Sequence, residues 1–210
     1  MSAIIISYPP GAGGNHLKNI LCLDRNFANS GDLNLAVYDE PIQPPGTVHS
    51  RPGRNVHEYI VNDIVNSPDQ RWILHGHYGE LAPHREKINS ITEKTFVLIS
   101  INRPRDQELL TRRQQRLGYG HHPYWNQEEQ PYLYQPQMYT TWFTGDRIVD
   151  VGLYDFWSPN YIATGFVDWL NSVLNTEIDV EAAQNLHTKW WQQNFFFDFC
   201  NYTRGVYGVV

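Results

Sequence analysis

The segment KTFVLISI, residues 94–101, is the most restrictive stretch of this chain. Beyond Lys94 and Thr95 only Ser100 interrupts its apolar side chains, and a strand sends successive side chains to opposite faces. Such a strand needs cover on both faces, the condition of a parallel sheet lined with helices. AIIIS at residues 3–7 has the same character, RWILHG at 71–76 and DRIVDVGL at 146–153 read as further strands, and NLAVY at 34–38 as a weaker one. Helical patterns lie between them. One runs from His16 to Asp24. In residues 55–65, Val56, Tyr59, Ile60 and Ile64 share a face, and Pro68 ends the helix. PHREKINSI reads as a short helix, and Pro104 opens another that continues to Arg116. SPNYIATGFVDWLNSVL follows with Ser158 as cap and Pro159 in the first turn, and DVEAAQNLHTKWWQQNFFFDFC is the last helix. Repeated strand-then-helix units predict an α/β fold in which a mostly parallel sheet is flanked by helices.

With 41% apolar and 18% charged residues among 210, the chain is expected to form one α/β domain over residues 1–210. Residues 117–145 stand apart, rich in Tyr, Trp, Pro and Gln and poor in aliphatics. They read as an aromatic lid or acceptor-side insertion. Tyr119, Tyr124, Trp125, Tyr132, Tyr134 and Trp142 could stack on a sugar or a phenol, or pack onto the core or a second subunit of a homo-oligomer. The first apolar run meets prolines at once, too short for a signal peptide or a membrane span. Cys22 and Cys200 lie far apart and show no metal-ligand spacing, so a cytoplasmic setting is expected. The net charge of −6 argues against nucleic acid as a partner. Any anion must then be met locally. Arg103, Arg105, Arg112, Arg113 and Arg116 crowd into RPRDQELLTRRQQR, which is either that local site or a solvated helix face.

The first strand runs into Gly11, Ala12, Gly13, Gly14 and Asn15 before a helix opens. Backbone N–H groups at a helix N-terminus attract phosphate or sulfate, and glycines let a ligand approach the chain. A tight turn needing positive φ is the alternative reading. Kinases and triphosphatases use G-x-x-x-x-G-K-[ST], in which the lysine reaches the outer phosphates and the hydroxyl holds magnesium. Here Asn15 and His16 follow the glycines, and Lys18 falls one turn into the helix.

These residues resemble the sulfotransferase family. Tyr8-Pro9, the small-residue turn through Gly13, and Leu17 are similar to the family's 5′-phosphosulfate loop, Tyr-Pro-Lys-Ser-Gly-Thr-Thr-Trp-Leu, with one residue inserted and no counterpart of the lysine. WILHGHYGEL resembles the family strand that ends in a histidine base. LISINRPRDQELLT resembles the strand and helix whose arginine and serine, eight residues apart, bind a 3′-phosphate; Arg103 and Thr111 keep that spacing. VDVGLYDFWSPNYIATGFVDWLNSVL is similar in layout to the family's strand, proline turn and helix, and RGVYG at 204–208 to part of its cofactor loop.

The resemblance implies a P-loop nucleotide-binding architecture in three layers. It implies 3′-phosphoadenosine 5′-phosphosulfate (PAPS) as co-substrate, a hydroxyl or amine of a small molecule or carbohydrate as acceptor, and no required metal or membrane. His77 would be the general base, with His75 beside it. Gly11, Ala12, Gly13, Gly14 and Asn15 would hold the 5′ end of the co-substrate, and Arg103 with Thr111 the 3′-phosphate. The absent lysine leaves His16, Lys18, Arg105 and Arg112 as substitute cations. Two other classes stand beside this one: a kinase or triphosphatase with a degenerate loop, and a noncatalytic binder of the same fold.

Overall fold

The computed structural model describes residues 3–30, 56–67, 69–117, 143, 147–158 and 165–194. The strand expected at 34–38, nearly all of the 117–145 insertion, Pro159, the end of the last helix and RGVYG lie outside the described residues. Strand β1 (Ala3–Ser7) leads through the glycine loop into α1 (Gly14–Leu21). Helix α2 (Val56–Asn66) precedes β2 (Trp72–Gly76), and α3 (Tyr78–Leu81), a 3₁₀ turn (Ala82–His84) and α4 (Arg85–Ser90) lead to β3 (Lys94–Ser100). Helix α5 (Pro104–Leu117) follows β3. Strand β4 (Arg147–Gly152) runs directly into α6 (Leu153–Phe156), ahead of α7 (Phe166–Leu174) and α8 (Val180–Asn194). The four strands form one all-parallel sheet in the order β2-β1-β3-β4. The chain is therefore α/β, with a parallel sheet flanked by helices.

Burial explains why these segments are strands. All five residues of β1 are buried, and Ile4, Ile5 and Ile6 are no more than 2% exposed although they alternate between faces. Both faces of the sheet are thus covered, and each such isoleucine contributes about 1.5–3 kcal/mol of burial. Phe96 to Ser100 of β3 are buried in the same way. Phe143, from the end of the aromatic insertion, joins this core with its ring 5.3 Å from that of Phe96.

Register decides where the loops meet. Ser7 pairs with Gly76 on one side and Leu98 on the other, so the C-terminal ends of β1, β2 and β3 share one edge. The chain winds from β1 outward to β2, then passes β1 to reach β3. Parallel sheets open a ligand crevice where the winding reverses, here between β1 and β3. The glycine loop and the Asn102-Arg103 turn flank that point.

One boundary differs from expectation, and another falls outside the described residues. In the SPNYIATGFVDWLNSVL stretch the described helix begins at Phe166, behind Gly165 at φ 86°, and the Ser158 carbonyl accepts from His187 Nε2 at 3.0 Å; the turn expected behind Ser158 with Pro159 lies at 159–164, outside the described residues. Leu153, expected in the fourth strand, begins α6, because the buried Asp106 carboxylate accepts the N–H of Tyr154 and turns the chain.

The outer edge of β2 is closed by a side chain. Asn29, 7% exposed, donates through Nδ2 to the Ile73 carbonyl at 2.7 Å and accepts the Ile73 N–H through Oδ1 at 3.0 Å, imitating a neighbouring strand. Asn29→Ala leaves a buried donor and a buried acceptor unmet. An unmet buried polar group costs about 1–3 kcal/mol, and a chain of this length melts about 2–4 °C lower per kcal/mol. A thermal melt should fall by at least roughly 4 °C; an unchanged midpoint would show that water replaces the amide without loss.

Candidate functional site

The glycine loop is held by its carbonyls. Tyr8 O accepts from His77 Nδ1 at 3.0 Å, and Pro9 O from the Ala12 N–H at 3.0 Å. Pro10 O accepts from Gln114 Nε2 at 2.6 Å, and Gly11 O from Arg113 Nε at 3.1 Å. Ala12 O accepts from Trp157 Nε1 at 3.0 Å, and Gly13 O from the N–H groups of His16 and Leu17 at 3.0 and 3.1 Å. In a planar trans peptide, C=O and the following N–H point in opposite directions. With the carbonyls of Pro10, Ala12 and Gly13 turned onto protein donors, the N–H groups of Gly11, Gly13 and Gly14 point away from those donors. With that of Asn15 in the first turn of α1, these N–H groups are the loop's candidate donors to an anion.

The glycines themselves have a different cause from the one their pattern suggests. A Cβ on Gly14 would lie 1.9 Å from the Tyr8 ring, and one on Gly13 would lie 2.6 Å from the Trp190 ring. Gly13 also caps α1 at φ 91°. Close approach by the protein's own aromatic rings, not by a ligand, excludes larger residues here. Ala12 is fully buried.

His75 and His77 converge on Tyr8. The Tyr8 hydroxyl lies 2.9 Å from His75 Nδ1, which holds the ring on Gly14. The His77 ring meets the Tyr8 ring edge-on, with centroids 4.8 Å apart. A carbonyl oxygen only accepts, so His77 Nδ1 carries a proton. The backbone N–H of His77 donates to Glu80 Oε2 at 2.7 Å as α3 begins, fixing the residue from its main chain as well.

His16 is placed elsewhere. It is fully buried, stacks on Trp190 with centroids 4.0 Å apart, and its Nε2 lies 3.1 Å from His187 Nδ1. His187 Nε2 reaches the Ser158 carbonyl at 3.0 Å and must be its protonated nitrogen, so Nδ1 accepts from His16 Nε2–H. Burial first, and the neighbouring His187 second, hold the His16 imidazole well below its usual range; burial also lowers His187, against the opposing Ser158 contact. His16 is therefore neutral and cannot be the cation expected of it. It is a structural residue behind Gly13.

Arg103 precedes α5 and Thr111 lies within it. Arg103 donates through Nη2 to Asp155 at 2.8 Å and through Nε to the buried Asp106 at 3.2 Å. Thr111 stands two turns along α5, about 12 Å further by helical rise. The basic run divides by helical phase. Arg112 pairs with Glu108 at 2.6 Å on the surface, Arg105 lies 3.9 Å over the Tyr154 ring and 3.7 Å from Asp155, and Arg113 turns inward to the loop. Gln114, Asp155, Trp157 and His187 are site-forming residues that the sequence did not single out, and Arg113 stood there only as one of a run of five arginines. Only their partners across the fold give them meaning.

Among the described residues no group of three or more His, Cys, Asp or Glu side chains is placed to hold a metal ion, and no helix is long and apolar enough to cross a membrane. Comparison with protein-family models, curated proteins and solved structures returns no match.

The histidine pair sets a pH dependence. Both folded-state values lie below the ordinary histidine value of about 6.5, so below that pH the unfolded chain binds more protons than the folded one. The stabilisation is complete above about pH 6.5 and is lost as pH falls, with a slope of up to about 1.4 kcal/mol per pH unit for each histidine. Urea melts between pH 7.5 and 5 should show this decline, and His187→Gln should flatten it. An equal slope in the variant would place the titration elsewhere.

Proposed function

We propose that the protein is a sulfotransferase of P-loop architecture that uses PAPS. The observation that carries this reading is the single hydrogen bond from His77 Nδ1 to the Tyr8 carbonyl, 3.0 Å long. It joins a candidate base to the first residue of the candidate anion loop and puts a proton on Nδ1, the arrangement in which Nε2 of a neutral ring is the basic nitrogen. PAPS would supply the activated sulfuryl group. The chain's own part is to orient, to accept a proton and to meet charge.

His77 Nε2 takes the proton of an acceptor hydroxyl or amine as the acceptor atom bonds to sulfur. The bond between sulfur and the 5′-phosphate oxygen breaks, and the electron pair stays on that phosphate. The amides of Gly11, Gly13, Gly14 and Asn15 meet the resulting charge. Arg103 is the candidate for the 3′-phosphate, which would exchange with the half-exposed Asp155 carboxylate. A noncatalytic binder is the second reading, favoured by the filling of the space over Gly13 and Gly14 by Trp190 and Tyr8.

Two measurements test the proposal. A ligand at one hundred times its dissociation constant adds about 2.7 kcal/mol, so adenosine 3′,5′-bisphosphate without metal should raise Tm by roughly 5 to 11 °C. Adenosine 5′-phosphate should stabilise less, and Arg103→Ala should remove the difference; a larger shift from magnesium adenosine triphosphate would favour a kinase. In the second, His77→Ala should lower turnover with PAPS and a phenolic or sugar acceptor by about 10²-fold with bisphosphate binding nearly unchanged. Bisphosphate binding without turnover by the parent protein would favour the noncatalytic reading.

A further inference from the structure

Arg105 is a cation whose donors the fold leaves unused. Its guanidinium lies 3.9 Å over the Tyr154 ring, its Nε is buried without a hydrogen-bond partner, and Asp155 Oδ1 stands 3.7 Å from its Nη2. That distance is beyond hydrogen-bond reach. The other oxygen of the same carboxylate is bonded, to Arg103 Nη2 at 2.8 Å. One carboxylate thus lies between two guanidinium groups and closes only one of the two contacts.

Neither guanidinium depends on Asp155 for its place. Arg103 is anchored from behind, its N–H and Nε–H both reaching Asp106 Oδ2 at 3.1 and 3.2 Å. Asp106 is fully buried and also accepts the N–H of Tyr154, the residue on whose ring Arg105 rests. The Asp155 side chain is 46% exposed and that of Arg103 38%, and an ion pair so open to water contributes at most about 1 kcal/mol. Two positive and two negative charges make up the cluster. Asp106 balances one arginine from within the fold, and Asp155 balances the other from the surface.

The cluster sits at the C-terminal edge of the sheet. Ser100, the last residue of β3, pairs with Gly152, the last of β4, so the turns that carry Arg103 and Asp155 start side by side. A Cβ on Gly152 would lie 3.1 Å from both Arg103 Nη2 and Asp155 Oδ2, so glycine brings the ion pair down onto the end of β4.

We infer that Arg103 and Arg105 form a two-arginine seat for a phosphate or sulfate monoester, and that Asp155 is an internal anion occupying this seat until the ligand displaces it. A tetrahedral group presents a third oxygen where a carboxylate has two, and can engage both planar forks at once. Asp155 competes as a tethered ligand, lowering affinity without altering the seat. This rests on the reading of Arg103 as an anion ligand and deepens it, adding Arg105 as the second ligand and Asp155 as the group that sets affinity.

Calorimetric binding of sodium sulfate, adenosine 3′,5′-bisphosphate and adenosine 5′-phosphate to the parent protein, D155N, R105Q and the D155N/R105Q double variant tests this. D155N keeps the side-chain shape and removes the competing charge. It should bind sulfate about 10-fold or more tighter than the parent, the scale of one charge-assisted hydrogen bond, and R105Q should cancel the gain. If the seat takes the 3′-phosphate, bisphosphate affinity follows the same order and adenosine 5′-phosphate is indifferent; if it takes a group on the acceptor, both nucleotides are indifferent. Equal sulfate affinity in the parent and D155N, or a gain that R105Q leaves undiminished, would overturn the inference, and would leave the sulfotransferase reading standing if the parent still turned over PAPS. The expected sulfate pattern in a protein that binds neither nucleotide would uphold the seat and sink that reading. Should D155N fail to fold, the Arg105 Nε–H resonance of the parent, assigned against R105K, must shift when sodium sulfate replaces sodium chloride at equal ionic strength; no shift overturns the inference.

Discussion

Six consecutive carbonyls, from Tyr8 to Gly13, are each bound to a protein donor, and the rest of the candidate site follows from that constraint. The donors come from the end of β2, the loop itself, two adjacent residues of α5, the residue after α6, and the first turn of α1. Because peptide planes are rigid, fixing the oxygens fixes the hydrogens. The direction of the loop amides is therefore a property of the whole fold. A short glycine-rich segment in isolation has no such preference, since glycine loses more conformational entropy on ordering than any other residue.

Aromatic rings press on the same loop at Gly13 and Gly14. Tyr8 lies on Gly14 and is held there by His75, while Trp190 lies against Gly13 and carries His16 on its face. The chain His16 to His187 to Ser158 then ties α1 to α8 and to the segment after α6. Trp191 adds a bond to the Trp157 carbonyl at 2.7 Å, so the last described helix is fastened to the residue that holds Ala12. Loop geometry and docking of α8 are in this way coupled. A change that loosens one loosens the other.

Helix α5 connects the two sides of the crevice. At its start Asp106, fully buried, accepts the N–H and Nε–H of Arg103 and the N–H of Tyr154, joining the β3 turn to the β4 turn. Two to three turns later Arg113 and Gln114 hold the glycine loop. Opposite charges near α5 are thus arranged by helical phase, with Arg112 and Glu108 facing solvent and their neighbour Arg113 facing the protein. Composition alone treats these arginines as equivalent.

The sequence by itself determined the parallel sheet and the edge on which chemistry could gather. KTFVLISI and AIIIS are apolar on both faces, and only a strand covered from both sides satisfies such a pattern. It also determined that His77 follows a strand and that the glycines precede a helix, because both features are local. Tertiary structure decided the rest. His16 and His77 are the same residue type beside neighbouring strand ends, and one is a neutral buried ring while the other is a base candidate bound to the loop. Arg112 and Arg113 are adjacent, and one is solvated while the other is packed under Gly11. Gly13 and Gly14 read as room for a ligand, and the room that a Cβ would take there is filled by Trp190 and Tyr8. In each case the deciding partner lies tens of residues or more away in the chain: His187, Trp190, Trp157, or Gly11 seen from Arg113. A residue's charge, protonation and exposure depend on what is packed against it, and local sequence does not carry that information.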